Sequence, residues 1–385
     1  MDKKILFVLH RIGIGGSMTS MLNLLELLKA DGVECDLFLM DHSGDFLERA
    51  KRTANLLPEN KRLASVVCKK DKLTENKDII GLMYRISYII KNKLTKGRHN
   101  YDAVYKKEAK KIKGYDVVVS FQEGLPTNFV KYIECNNKIA WVHNEFKYIS
   151  SNKAATQDMY QKYQRIVCVS KIAQRSIVDN IEVGDIPVDL IYNTINDGYI
   201  KQRADDFDVE VDRSVMNIIS LGRMANQKRF DRIIPVAKKL KAEDKKFCWR
   251  ILGGGELFDS VYQAAEKEDL LDMLEFLGPQ SNPYPYIKSA DCLVLTSLYE
   301  AHPMVAIEGL VLNKPVITTN YPSACEVVTD GVNGLICENN EDGIYEAISK
   351  VLTDKELLST LSENAEKYQY DNLGILKQVK NILKV

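Results

Sequence analysis

The chain has 385 residues, 45% of them hydrophobic and 28% charged, and a formal net charge of zero. That length exceeds one ordinary hydrophobic core and predicts two domains. Its composition excludes a collagenous or disordered chain, and it carries no apolar run of the ~18 residues that would predict a membrane-spanning helix. The opening MDKKILFVLH enters an apolar strand without the apolar stretch and small-residue cleavage site of a signal peptide. The eight cysteines are scattered, without a C-x-x-C pair, and predict buried reduced thiols in a cytoplasmic protein. Charge is uneven: Lys51 to Lys113 holds 18 Lys/Arg against 6 Asp/Glu, an excess of 12 that the remainder cancels. Such asymmetry predicts one basic face and an anionic partner. No nucleic-acid partner is expected, and nothing in the sequence sets an oligomeric state.

In chain order, KILFVLH (Lys4 to His10) reads as a buried first strand. A glycine loop follows, then a helix from Ser17 to Asp31 with Met21, Leu24, Leu25 and Leu28 at helical spacing. VECDLFLM, YDVVVSF, KIAWVH, QRIVCVS and PVDLIYN read as further strands. The charged stretch Lys201 to Arg213 reads as an interdomain connection. The pattern then restarts with VMNIISLGR, a helix from Arg229 to Ala242, and the strands FCWRILGGG, LEFLG, DCLVLTS and KPVITTN, with a helix opening at Pro303. The segment from Asp354 to the end reads as helical. Strand–helix alternation in both halves predicts two doubly wound parallel sheets, which bind ligands beyond the carboxyl ends of their strands.

The strongest chemical signal is SLYEAHPMVAIEGL, Ser297 to Leu310. Proline is favoured in the first helical turn, which places Glu300 in the preceding loop and Glu308 inside the helix. First-turn amides and the helix dipole suit a diphosphate. A helix-borne carboxylate one turn deeper suits ribose hydroxyls, and a loop carboxylate suits a sugar hydroxyl. Two solvated glutamates flanking an ordinary helix would read the same on spacing alone. A second signal is Arg223 at the end of IISLGR with Lys228 in the following loop: two cations at one strand end can neutralise a diphosphate leaving group without a metal. Arg229 and Arg232 compete for that assignment.

Arg223, Lys228, Glu300 and Glu308, in this order and context, resemble family 4 glycosyltransferases of the retaining GT-B class, similar to enzymes of bacterial surface-polysaccharide synthesis. The resemblance covers nearly the whole chain. It is clearest in LGRM…QKRFDRII, LGGGE, PYIKSADCLVLTS and the Glu-x7-Glu segment. It implies an α/β fold of two Rossmann-like doubly wound domains facing across a cleft. An acceptor-side domain would span 1–195, a nucleotide-sugar-binding domain 196–365, and a helix at 366–385 would pack back toward the first. It further implies that Arg223 and Lys228 bind the diphosphate, Glu308 the ribose and Glu300 the transferred sugar, with Met304 and Val305 also at the donor. Ala301-His302 departs from the family's usual Gly plus apolar pair.

In the first half, Gly13, Gly15 and Gly16 follow the first strand and open a helix, freeing backbone to approach a phosphate or sugar. The resemblance sets this loop against the donor phosphate. The spacing is not G-x-G-x-x-G, so a dehydrogenase is not favoured, although Asp41 would mimic its ribose-binding acid. His143 ends KIAWVH, where an imidazole can donate to a sugar oxygen or phosphate; a satisfied core histidine is the other reading. Ser120 and Ser170 are lesser strand-end candidates, and Asn193-Thr194 resembles the crossover into the second domain. Asp206-Phe207-Asp208 spells a metal-binding D-x-D but reads as chance in an acidic stretch, and no obligatory metal is expected.

The segment Asp78 to Arg98 sets Ile79, Met83, Ile86 and Ile90 at helical spacing and ends in Lys91, Lys93, Lys96 and Arg98. Within the basic region 78–113 it reads either as a helix on an anionic membrane surface, on the inner face of the plasma membrane, or as one packed on its domain with a solvated basic face. The resulting expectation is an EC 2.4-type hexosyltransferase. It would move a hexose or N-acetylhexosamine from a UDP-sugar, with retention, to a glycan or lipid-linked acceptor in capsule or other surface-polysaccharide synthesis. A UDP-sugar epimerase of the same fold and a non-catalytic membrane-associated binding protein are the alternatives.

Overall fold

The computed structural model describes residues 3–13, 15–68, 73–74, 78–95, 101–149 and 152–385. Lys96 and Arg98 of the basic segment lie outside them. The chain forms two units, Met1–Thr194 with Asn372–Val385, and Ile195–Asp371.

The first unit is built on β1 (Ile5–Leu9), β2 (Asp36–Leu39), β3 (Asn55–Leu56), β4 (Val117–Ser120), β5 (Lys138–Val142), β6 (Arg165–Cys168) and β7 (Val188–Leu190). They form one sheet in the order β3-β2-β1-β4-β5-β6-β7, every pair parallel. The second unit carries β8 (Met216–Leu221), β9 (Phe247–Leu252), β10 (Leu274–Gly278), β11 (Cys292–Leu295), β12 (Val316–Thr319) and β13 (Gly334–Cys337), parallel throughout in the order β10-β9-β8-β11-β12-β13. That is the doubly wound Rossmann order, reversing direction between β8 and β11. Each unit is therefore an α/β Rossmann-like body.

Parallel strands covered by helices on both faces must be apolar on both, which explains the unbroken runs ILFVL, VVVS, CLVL and VITT, all buried. Successive residues feed opposite cores: Cys292 and Val294 join Ile218 and Trp249 on one face, while Leu293 and Leu295 join Ile219 and Leu310 on the other. The buried Trp249 indole N–H donates to Ser220 Oγ at 3.0 Å, and that hydroxyl donates to the Val294 carbonyl at 2.6 Å, so this polar chain is satisfied inside the sheet.

Several elements depart from the sequence expectation. The stretch Lys201 to Arg213 is not a connection between units but part of the second: Ile200 and Ala204 are buried in the same cluster as Ile195. The helix expected from Arg229 begins instead with a 3-10 turn at Phe230–Arg232 and continues as Ile233–Ala242, because Arg229 takes a left-handed conformation, φ 50°. The terminal segment is two helices: Lys355–Glu366 belongs to the second unit, while Asn372–Leu383 belongs to the first, where it packs on the helix Gly16–Ala30 and Lys380 pairs with Asp31. Among the eight free cysteines, Cys35, Cys68, Cys168 and Cys292 are buried, but Cys325 is exposed.

Gly253, directly after β9, has φ +131°, and a Cβ built there would lie 1.9 Å from the carbonyl oxygen of Gly222, directly after β8. The two strand-end turns thus pack backbone against backbone, which only glycine permits. Gly253→Ala is expected to cost about 2 kcal/mol or more in urea unfolding of the second unit, through combined strain and displacement of the β8 turn. Unchanged stability would show that this close approach is not held.

Candidate active site

In a parallel sheet, the loops after two neighbouring strands diverge where strand order reverses, leaving room between them. Here those loops are Gly222–Arg229 after β8 and Thr296–Pro303 after β11. They are stitched together. Leu298 N–H donates to Gln227 O at 2.7 Å, Thr296 Oγ1 donates to Lys228 O at 2.7 Å, and Gln227 Nε2 donates to Tyr299 O at 2.9 Å. Arg232, 5% exposed, braces them by donating to Thr296 O at 3.1 Å and to Asn339 Oδ1 and O at 2.7 and 3.0 Å. Asn339 Nδ2 in turn donates to Leu298 O at 3.0 Å.

On this brace, Lys228 Nζ meets Glu300 Oε1 at 2.6 Å, with the two side chains 21% and 8% exposed. Ser297 Oγ donates to the same Oε1 at 2.6 Å, and Ser323 Oγ donates to the Glu300 carbonyl at 2.7 Å. Lys and Ser both converge on Oε1, while Gln227 Nε2 stands 3.5 Å from Oε2. Oε2 therefore keeps capacity to accept from a hydroxyl. Gly222 runs beside the lysine: a Cβ there would lie 3.6 Å from Lys228 Cε and 3.9 Å from Nζ, so its missing side chain keeps one flank of the ammonium clear.

The helix Met304–Val311 starts just beyond, with Pro303 at its N-cap. Met304 is buried, Val305 half-buried, and Glu308 is 8% exposed about one turn, roughly 6 Å, deeper. The structure thus gathers Lys228 and Glu300 directly and sets the helix that carries Met304, Val305 and Glu308 on the same loop. Arg223 is not at Glu300: its guanidinium, 74% exposed, pairs with Glu256 at 3.0 Å. A pair this exposed holds its partners weakly and leaves the arginine free to swing. Arg229 is engaged with Asp231, and Arg232 is the structural brace, so neither competes with Lys228.

In the first unit, the glycine loop follows β1, with Gly16 opening the helix Gly16–Ala30. Ile12 fixes the loop, donating to Ser43 O at 3.0 Å and accepting from Phe46 N–H at 3.2 Å; Gly13 and Gly15 continue from it. Asp41 accepts from Ser43 Oγ at 2.9 Å in the same turn. Asn193 and Thr194 are bound to the opening helix: Ser20 Oγ donates to Asn193 Oδ1 at 2.9 Å and Asn23 Nδ2 to Thr194 O at 3.1 Å. The lesser candidates serve structure: Ser120 Oγ donates to Gln122 O, and Ser170 caps the helix Lys171–Asn180 by accepting from Ala173 N–H at 3.2 Å. Asp206, in the second unit, accepts from Asn282 Nδ2 at 3.0 Å and pairs with Arg203 at 2.9 Å.

His143, 8% exposed at the end of β5, has Nε2 3.0 Å from the Phe121 carbonyl. A carbonyl only accepts, so Nε2 carries the proton and Nδ1 is left as the acceptor. Burial drives its pKa down to about 4, against a raising contribution from that hydrogen bond. The ring is therefore neutral near pH 7. The expected donation to phosphate is corrected: Nε2 is occupied, and the ring offers an acceptor. Beside it, Glu123 accepts from His143 N–H at 2.7 Å and Asn144 Nδ2 at 3.1 Å, while burial pushes its carboxyl up. Glu123 and Asn144 escaped the sequence reading; their one signal was position, each just past a strand end.

Residues 202–368, all within the second unit, match the family described as Glycosyl transferases group 1. An uncharacterized glycosyltransferase of Methanocaldococcus jannaschii is 30% identical over 58% of this chain and 56% of its own length. A second relative, from Campylobacter jejuni, is named N-acetylgalactosamine-N,N'-diacetylbacillosaminyl-diphospho-undecaprenol 4-alpha-N-acetylgalactosaminyltransferase; it is 27% identical over 60% of this chain and 63% of its own. The chain thus spans less than two thirds of these relatives. Among solved structures, Anabaena HepE with UDP and glucose superposes with a TM-score of 0.74 at 14% identity, covering 99% of both chains. Staphylococcus aureus TarM, as a mutant in complex with UDP, superposes with 0.75 at 15%, covering 100% of both chains. These likenesses show the fold, the GT-B arrangement of two Rossmann-like halves.

The histidine gives a pH test. Its folded pKa, about 4, lies below the ordinary 6.5. Between those values the unfolded chain binds the proton and the folded one does not, so stability falls as pH drops from 6.5 toward 4. In His143→Gln that acid slope is expected to shrink by up to about 3 kcal/mol, read from denaturant unfolding at pH 7 and pH 4.5. An identical slope in both proteins would contradict a buried neutral imidazole.

Proposed function

We propose that this chain, whose residues 202–368 match the glycosyl transferases group 1 family, transfers a glycosyl group from a UDP-sugar to a glycan or lipid-linked acceptor in surface-polysaccharide or other glycoconjugate synthesis. The observation that carries the reading is the enclosed Lys228–Glu300 pair at the reversal point of the second sheet, beside the start of the helix Met304–Val311. Two fold neighbours, Anabaena HepE and Staphylococcus aureus TarM, are complexed with UDP, and the Campylobacter relative's name gives a diphospho-undecaprenol acceptor; both support the class of substrate proposed here.

In this reading Lys228 and the first-turn amides at Met304 and Val305 neutralise the diphosphate, and Arg223 turns from Glu256 to join them. Glu308 accepts from the ribose hydroxyls. Glu300 Oε2 accepts from a hydroxyl of the transferred sugar, while Oε1 stays on Lys228. On the first unit, the glycine loop with Gly15 and Gly16 suits a phosphate or sugar, and His143 offers an acceptor through Nδ1. The protein's own cations supply the charge compensation, so no metal is needed in the step. The acceptor hydroxyl attacks the anomeric carbon from the face the diphosphate leaves. The carbon–oxygen bond to phosphate breaks, the proton passes to the departing phosphate oxygen, and configuration is retained.

Incubation with a panel of UDP-sugars, followed by NMR of the product, is expected to show the donor's own anomer. Glu300→Gln is expected to bind UDP within a few-fold of wild type while transfer falls roughly 100-fold or more, since a carboxylate acting on the sugar matters in the reaction rather than in nucleotide binding. An inverted product would refute retention. Isomerised donor without acceptor would favour an epimerase, and full transfer by Glu300→Gln would remove the assigned role.

A further inference from the structure

A helix lying on a protein surface normally turns its apolar stripe inward. The helix Ile79–Leu94 does the reverse. Its buried residue is Gly81. Arg85 points inward, donating to Cys68 O at 2.8 Å, and Tyr88 stands against Tyr101 with ring centroids 5.7 Å apart. At 100° per residue, Ile79, Met83, Ile86, Ile90 and Leu94 share the opposite face. They are 70%, 66%, 55%, 52% and 78% exposed. The result is an apolar ridge roughly 24 Å long facing solvent, with Lys91 and Lys93 in its last turn.

A cavity of about 740 Å³ adjoins this helix, with Ile80 and Tyr84 in its wall. Lys61, Arg62, Lys107 and Lys111 line it against only Glu59 and Glu108. Glu108 is buried and already engaged by Lys111, by Asn60 Nδ2 at 2.9 Å and by Arg62 at 3.7 Å. Lys61 and Lys107 therefore remain for an outside anion. Apolar ridge and cationic hollow are side by side, the pairing that suits acyl chains under phosphate headgroups.

We propose that the helix Ile79–Leu94 and the adjoining basic cavity dock this protein on an anionic lipid bilayer. The ridge lies among the upper acyl chains, and the hollow takes a lipid phosphate. A second copy of the chain fits poorly: a two-fold contact through this face would set like patch on like patch, and the surrounding stretch Lys51 to Lys113 carries 12 excess positive charges. An anionic surface complements that charge. The proposal stands whether or not the donor reading holds, because it uses none of the same residues.

The test is sedimentation of the full chain with phosphatidylcholine vesicles and with vesicles containing one third phosphatidylglycerol. Wild type is expected to bind the anionic vesicles at least tenfold more tightly. The triple variant Met83→Ser, Ile86→Ser, Ile90→Ser, at exposed positions, is expected to lose at least tenfold in partitioning with an unchanged thermal midpoint. Lys61→Glu with Lys107→Glu is expected to lose the preference for anionic lipid. Equal binding to both vesicle types, or wild-type partitioning by the folded variants, overturns the proposal. So does a lipid-free dimer in light scattering that the serine variant dissociates.

Discussion

The contact between the Lys228 ammonium and the Glu300 carboxylate is the constraint around which the second unit is arranged. Enclosed ions are costly to bury, and such a pair persists only with good geometry and further hydrogen bonds. The fold supplies both. Reversal of strand order brings the ends of β8 and β11 side by side, Gly222 and Gly253 let the turns approach, and Arg232 with Asn339 locks the second loop from beneath. Ser297 fixes the carboxylate, so one oxygen is held by protein while the other keeps accepting capacity. A cation fixed beside a helix start needs little rearrangement to meet a developing phosphate charge.

The first unit follows the same topology with different chemistry. Among the described residues, its strand ends offer no fixed cation comparable to Lys228. They offer a neutral imidazole whose tautomer is set by the Phe121 carbonyl, a half-buried carboxylate at Glu123, and a glycine loop held by its neighbours. A neutral imidazole and a carboxylate suit hydroxyls rather than phosphate charge. The chemistry available to each unit therefore follows from which side chains close its sheet. The helix Ile79–Leu94 adds a third feature, an apolar face turned outward. Among the described residues no helix is long and apolar enough to cross a membrane.

Much of this was legible in the sequence, for physical reasons. Parallel strands covered on both faces leave unbroken runs such as VVVS and CLVL, and Pro303 announces a helix start, which places Glu300 before it and Glu308 within it. The remainder depends on contacts between distant residues. Arg232 and Asn339 are 107 positions apart, and no local pattern distinguishes the bracing Arg232 from Lys228 or Arg229. Arg223 reads as a site cation, yet an exposed guanidinium simply takes the nearest acid, Glu256. Ser120 and Ser170 end strands as site residues do, but hydroxyls there are equally suited to closing a turn or capping a helix. The left-handed Arg229 shortened the following helix, a backbone choice invisible to side-chain periodicity. Lys201 to Arg213 was charged enough to look like a connection because little of it is anchored in the core: Ala204 within it and Ile200 just before it.

The proposed role of Lys228 is to neutralise the diphosphate of the donor nucleotide. The most direct measurement is calorimetric titration of UDP and UMP into wild type and Lys228→Met, the variant keeping side-chain length without charge. Wild type is expected to prefer UDP, and the variant to lose that preference by roughly tenfold or more while UMP binding changes little, as follows when one charge-assisted contact to the terminal phosphate is removed. An unchanged UDP-to-UMP ratio in a folded variant would contradict it.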